Sequence, residues 1–78
     1  MKGTIKLSEL TPGEVGTIVR VEGEDIFRRR LLDMGFTKGV TVTVLDVAPL
    51  GDPMKLEIRE YEISIRKKQA EKIIVSEG

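Results

Sequence analysis

Two runs in the second half of the chain alternate cleanly between apolar and polar positions. Met54, Leu56 and Ile58 alternate with Lys55, Glu57 and Arg59, and Tyr61, Ile63 and Ile65 alternate with Glu62, Ser64 and Arg66. A period of two sends each set to its own face, so the pattern predicts two half-buried strands, and the short gap between them predicts a hairpin. Val15 to Val21 predicts another strand, with Val15, Thr17, Val19 and Val21 on one face and Gly16, Ile18 and Arg20 on the other. Gly16 inside it points to a bulge or a close backbone approach. Val40 to Val47 is almost wholly β-branched and has few polar positions, which predicts a strand covered on both faces for part of its length. Ile73-Ile74-Val75 predicts a closing strand.

Between the first two of these strands the period changes. Over Glu22 to Met34, Phe27, Leu31 and Met34 recur at i, i+4 and i+7 with Leu32 beside them, the stripe of an amphipathic helix of about three turns. Glu24 and Asp25 fall in its first turn, where negative charge suits the helix dipole. Gly35 follows as a left-handed cap, and Phe36 is placed to pack back onto the helix. Leu7 and Leu10 predict a short helical turn plugging one end of the core, with Ser8 as a cap, and Pro12-Gly13 predicts a type II turn. Lys67 to Glu71 predicts one more helical turn with Ala70 facing inward. The whole is mostly β: about five short strands, a helix between the first two, helical turns near the N-terminus and before the last strand, and an antiparallel sheet curled into a small barrel. Residues 1–78 read as one domain.

Composition narrows the chemistry. Lys plus Arg and Asp plus Glu number 13 each, and Cys, His and Trp are absent. Thiol nucleophiles, histidine acid–base catalysis, haem and iron–sulfur ligation are excluded, as are a disulfide and a Cys/His zinc site. No nucleophile–base pair stands at a recognisable spacing, so an enzyme is not expected. The zero net charge and the three aromatic residues argue against a nucleic-acid-binding barrel. No apolar run approaches a membrane span and no apolar signal core opens the chain, so a cytoplasmic, non-embedded protein is expected. The free edges of a small barrel make a homodimer an open option.

Arg29-Arg30-Leu31-Leu32-Asp33-Met34-Gly35-Phe36, then Gly39 and the β-branched strand, then Ala48-Pro49-Leu50-Gly51-Asp52-Pro53, then Tyr61-Glu62-Ile63-Ser64-Ile65-Arg66 and Ala70 resemble the FeoA family. The resemblance runs from Leu7 to Val75. It implies an SH3-like β-barrel and an accessory or regulatory role in bacterial ferrous-iron uptake, through binding to the FeoB transporter and its cytoplasmic GTP-binding domain. It implies no cofactor. Related barrels occur in metalloregulators of the diphtheria-toxin-repressor type, so the alternative is a barrel that binds a repressor or another protein segment in transcriptional control. Glu60 departs from the glycine that members often carry in the hairpin, which leaves the geometry of that turn open.

Two segments are candidates for partner binding. Arg28, Arg29 and Arg30 can form a solvated helix face whose stems cover the barrel edge, make salt bridges to a partner, or supply an arginine finger to a phosphate. Leu50, Gly51 and Asp52 sit in a proline-stiffened connection, where Leu50 is either an exposed tip or folds back onto the core. Glu22, Glu24 and Asp25 form an acidic cluster near Glu14 that invites weak binding of a transition-metal or other divalent ion. The helix dipole already accounts for two of the three, and a dedicated Fe(II) site is not expected without His or Cys.

Overall fold

The computed structural model describes residues 3–77; the ends of the domain drawn above, residues 1, 2 and 78, lie outside it. The elements are β1 (Thr4–Lys6), a 3-10 turn (Leu7–Glu9), β2 (Val15–Val21), α1 (Asp25–Asp33), β3 (Thr41–Val47), a 3-10 turn (Pro49–Gly51), β4 (Met54–Ile58), β5 (Tyr61–Ile65), α2 (Lys67–Ala70) and β6 (Ile73–Glu77). All strands join one six-stranded sheet in the order β1-β6-β2-β3-β4-β5, and every pairing is antiparallel.

The strand count rises from about five to six because Thr4–Lys6 pairs with β6. Three residues carry too little alternation to be read as a strand, and α1 consequently lies between the second and third strands. The start of α1 also moves inward, from Glu22 to Asp25. Gly23, at φ +113, turns the chain before the helix begins.

The core is one apolar cluster that includes Leu7, Ile18, Leu31, Phe36, Val42, Val44, Leu56, Ile58, Ile65, Ala70, Ile73 and Val75. Its lid at one end is the Leu7–Glu9 turn. Ser8 does not cap this turn: the capping position is Lys6, whose N–H donates to Glu9 Oε2 at 3.0 Å. The Pro12-Gly13 turn forms as expected, with Gly13 at φ +93 and Glu14 N–H donating to Thr11 O at 3.0 Å.

Of the two alternatives that Gly16 suggested for β2, the close approach is the one found there. The bulge falls between Ile18 and Arg20. It switches the inward face, so that Gly16, Ile18 and then Val21 are buried, and simple alternation fails at Val19. Close approach occurs at Gly16 itself: a Cβ there would lie 2.9 Å from Val75 Cγ2 and 3.2 Å from Leu10 Cδ1. Both neighbours are core side chains, so the crowding cannot be relieved into solvent. Gly16→Ala is therefore expected to destabilise by about 1–3 kcal/mol, the usual range for overpacking. Urea titration checks this, and an unchanged midpoint would mean that β6 shifts freely.

β3 is covered on one face only. Val42 and Val44 are buried while Thr41, Leu45 and Asp46 are exposed, so the β-branched run reflects strand propensity and not two-sided burial. The β4–β5 hairpin closes through Arg59 and Glu60, at φ +45 and +71. The departure at Glu60 therefore leaves the backbone left-handed, and a non-glycine residue there costs about 1 kcal/mol.

The exit from α1 is built as its sequence suggested. Gly35 adopts φ +107; its N–H donates to Leu32 O at 3.0 Å, and the Phe36 N–H donates to Leu31 O at 3.1 Å. This double bond pattern is the Schellman cap. It turns Phe36 inward, and Tyr61 Oη fastens the hairpin to the same helix end by donating to Met34 O at 2.6 Å.

Candidate functional site

The Ala48–Pro53 connection is held on every side except its tip. Gly51 N–H donates to Ala48 O at 2.8 Å and Ala48 N–H donates to Pro53 O at 3.0 Å. Asp52 Oδ1 accepts the N–H of Lys67 at 3.2 Å, so the loop caps α2, and it lies 3.6 Å from Arg66 Nη1. The ion pair is exposed and contributes little alone, but the backbone bond fixes the register of loop against helix.

Leu50 resolves the alternative left open above: it is an exposed tip, 96% accessible, at φ +73 and ψ +5. Two unfavourable features coincide there. A leucine in the left-handed region costs roughly 1–2 kcal/mol, and its side chain gains nothing from burial. Strain held by a rigid surround is where a function is sought. Gly51 shares the left-handed conformation at φ +79, which a glycine adopts freely.

The three arginines have separate environments. Arg28 Nε donates to Val21 O at 3.0 Å and stitches α1 to β2. That bond gives Arg28 a structural task, although it is exposed like the next two residues, Arg29 and Arg30. They flank Ile26, which is 76% exposed and shares a shallow depression with Asp25, Arg29, Arg30 and Asp33. Sequence reasoning missed Ile26 because it lies off the Phe27–Leu31–Met34 stripe. The signal was its polar neighbourhood, since i+3, i+4 and i+7 from it are Arg29, Arg30 and Asp33.

α2 borders both segments. Its first residues hold Asp52, and Lys68, Glu71 and Lys72 line a second groove with Gly23, Glu24 and Phe27 at the start of α1.

The acidic residues do not converge. Among the described residues no group of three or more His, Cys, Asp or Glu is placed to hold a metal ion. Glu22 pairs with Arg20 at 2.9 Å. Glu14 accepts the Thr11 N–H at 2.7 Å and the Thr11 hydroxyl at 2.8 Å. These bonds, the backbone one first, hold its carboxyl below the usual carboxylate range. The turn is thus strengthened above the carboxylate range and loses that support as pH falls through it. No polar or charged residue is buried among those described, so the fold keeps no desolvated acid–base pair.

Comparison with known proteins agrees with this geometry. The model of the FeoA domain matches residues 5–77. An Fe(2+) transport protein A/Fe(2+) transporter FeoB fusion protein of Porphyromonas gingivalis is 49% identical over 71 residues, 91% of this chain and 8% of the fusion. The chain thus spans a small fraction of that relative's length. The NMR structure of a FeoA-like protein from Clostridium acetobutylicum superposes with a TM-score of 0.87 at 33% identity, covering 96% of this chain and 87% of the other. A manganese-dependent transcriptional repressor also superposes at 0.87, with 18% identity over 100% of this chain and 44% of its own, which shows a shared fold alone. The barrel is SH3-like, as in solved FeoA structures, and the chain belongs to the FeoA domain family.

Proposed function

We propose that this domain is an accessory module of ferrous-iron uptake that binds the cytoplasmic part of a FeoB-type transporter and modulates its GTP hydrolysis or transport, with no reaction of its own. The observation that carries this reading is the Porphyromonas gingivalis fusion, in which a homologous segment shares one chain with a FeoB transporter. Fusion holds two modules at a high effective concentration, which is useful when they act on each other.

The residues offered for the contact are Leu50, Gly51 and Asp52 on the loop and Arg29 and Arg30 beside Ile26 on α1. Leu50 supplies an apolar anchor on a fixed scaffold, and the arginines supply charge at an exposed face. Arg28, exposed beside them, is offered with them and also holds α1 to β2.

The test is a titration of the purified chain into the GTP-binding domain of its own organism's FeoB, and then into the full transporter. Each is run with a GTP analogue, with GDP and without nucleotide. Saturable binding that changes with nucleotide supports regulation of the GTPase cycle. Equal binding in all states points to transport or assembly. Absence of binding to both preparations in every state would overturn the proposal. Under an arginine-finger role, Arg29→Ala or Arg30→Ala would keep binding and lose stimulation of hydrolysis.

A further inference from the structure

The sheet ends at β1 on one side and β5 on the other. The two edges differ in kind. β1 is three residues long, and short edges discourage pairing with other chains. β5 spans five residues without proline, lysine or bulge, and stays in regular register with β4 from Tyr61 to Ile65.

The hydrogen-bonding direction of β5 follows from its turn. Arg59 and Glu60 form a two-residue loop with both φ positive, so the flanking Ile58 and Tyr61 are a hydrogen-bonded pair. Antiparallel alternation then turns the N–H and C=O of Tyr61, Ile63 and Ile65 toward β4, and those of Glu62 and Ser64 outward. Both of these residues are exposed. Among the described residues no turn, loop or cap bond reaches their outward backbone groups.

We propose that the β5 edge is a self-pairing surface whose occupant is a second copy of this chain, added antiparallel about a two-fold axis through Ile63. In that register Glu62 meets Ser64 of the copy and Ser64 meets Glu62, so the outward donors and acceptors of both strands satisfy one another. Ile63 faces its counterpart, and Tyr61 faces Ile65. One residue beyond each strand end, Glu60 of one copy comes opposite Arg66 of the other, an attractive pair repeated by symmetry.

The neighbouring two-fold registers are poorer. An axis through Glu62 sets that carboxylate against itself. An axis through Ser64 requires the Arg66 N–H, which already donates to Gln69 Oε1 at 2.9 Å. The pairing is independent of the transporter reading.

Sedimentation equilibrium and amide hydrogen exchange test this on the full chain, from about 10 μM to about 1 mM, since so small an interface is weak. The mass is expected to rise toward twice that of the chain. Exchange at Glu62 and Ser64 is expected to slow by about fivefold or more as it does so, while the already bonded Ile63 amide changes little. Ser64→Pro removes one outward N–H without touching the β4 ladder and is expected to keep the chain monomeric. A charge exchange reads the same register without a proline: Glu60→Arg weakens association, and adding Arg66→Glu restores it. A monomeric mass throughout, or association with unchanged exchange at Glu62 and Ser64, would overturn the proposal. So would protection of those two amides only on addition of the transporter domain, which would give the edge to a foreign strand.

Discussion

Phe36→Ala is expected to destabilise the fold by about 3–5 kcal/mol, the largest loss of any single side-chain truncation in this chain. Phe36 is the bulkiest fully buried side chain, at 0% exposure. It is delivered to the core by the Gly35 turn, so its ring also fixes the exit of α1. A 78-residue domain has a total stability of about 4–12 kcal/mol at typical values per residue. The variant therefore keeps about three quarters of its stability at best and none at worst, and its melting point is expected to fall by roughly 15–30 °C. Urea and thermal unfolding followed by circular dichroism measure this. Phe36→Leu serves as the control, costing about 1.5 kcal/mol or less because most of the volume remains. A loss near 1 kcal/mol for the alanine variant would show that the helix end collapses onto the gap and that the ring does not organise it.

The elements that could be read from the sequence are those in which one physical cause dominates. The β4–β5 hairpin is a period of two on both arms: Met54, Leu56 and Ile58 are buried, and on β5 burial deepens from exposed Tyr61 through half-buried Ile63 to buried Ile65. The end of α1 is written in the Gly35-Phe36 pair, because glycine alone enters the left-handed region without penalty. What escaped reading was decided by partners distant in sequence. Thr4–Lys6 is a strand only because β6 lies beside it. The burial of Val21 depends on a bulge between Ile18 and Arg20, and the one local signal for a bulge, Gly16, stands elsewhere in the strand. The one-sided burial of β3, with Val42 and Val44 buried and Leu45 36% exposed, is set by tertiary packing, which composition cannot reveal.

The candidate site divides along the same line. The Leu50 loop was visible as a stiff connection, but whether its tip points out or folds back is set by the loop's backbone, left-handed at Leu50, which the sequence does not encode directly. The arginine run was visible as charge, but not that one of three exposed arginines also bonds Val21 O and ties the helix to β2. Ile26 was masked by the stronger stripe beside it. A helix read for its buried face yields its exposed apolar residues only when the opposite face is examined in its own right.

Leu50→Gly is expected to move stability and binding in opposite directions. Glycine removes the left-handed penalty of roughly 1–2 kcal/mol and adds back about 0.5–1 kcal/mol through a freer unfolded chain. The net is a gain of about 0.5 kcal/mol. Nothing is lost from the core, since the leucine side chain is 96% exposed. If Leu50 anchors the contact with the transporter, the same change removes the side chain that fills the partner's pocket. A buried anchor contributes about 2 kcal/mol or more, so affinity is expected to fall by about 30-fold or more. Titration of wild type and variant into the transporter's GTP-binding domain, beside paired urea curves, measures both quantities. Leu50→Met separates shape from apolarity: it keeps the left-handed strain and an apolar reach, and is expected to lose less than about fivefold. Most substitutions that weaken an interface through misfolding lower stability as well. A variant that folds more stably and binds more weakly assigns the loss to the anchor itself. Unchanged affinity with raised stability would instead mark Leu50 as a strained tip with no part in the contact, and would leave Ile26, Arg29 and Arg30 on α1 as the face to test.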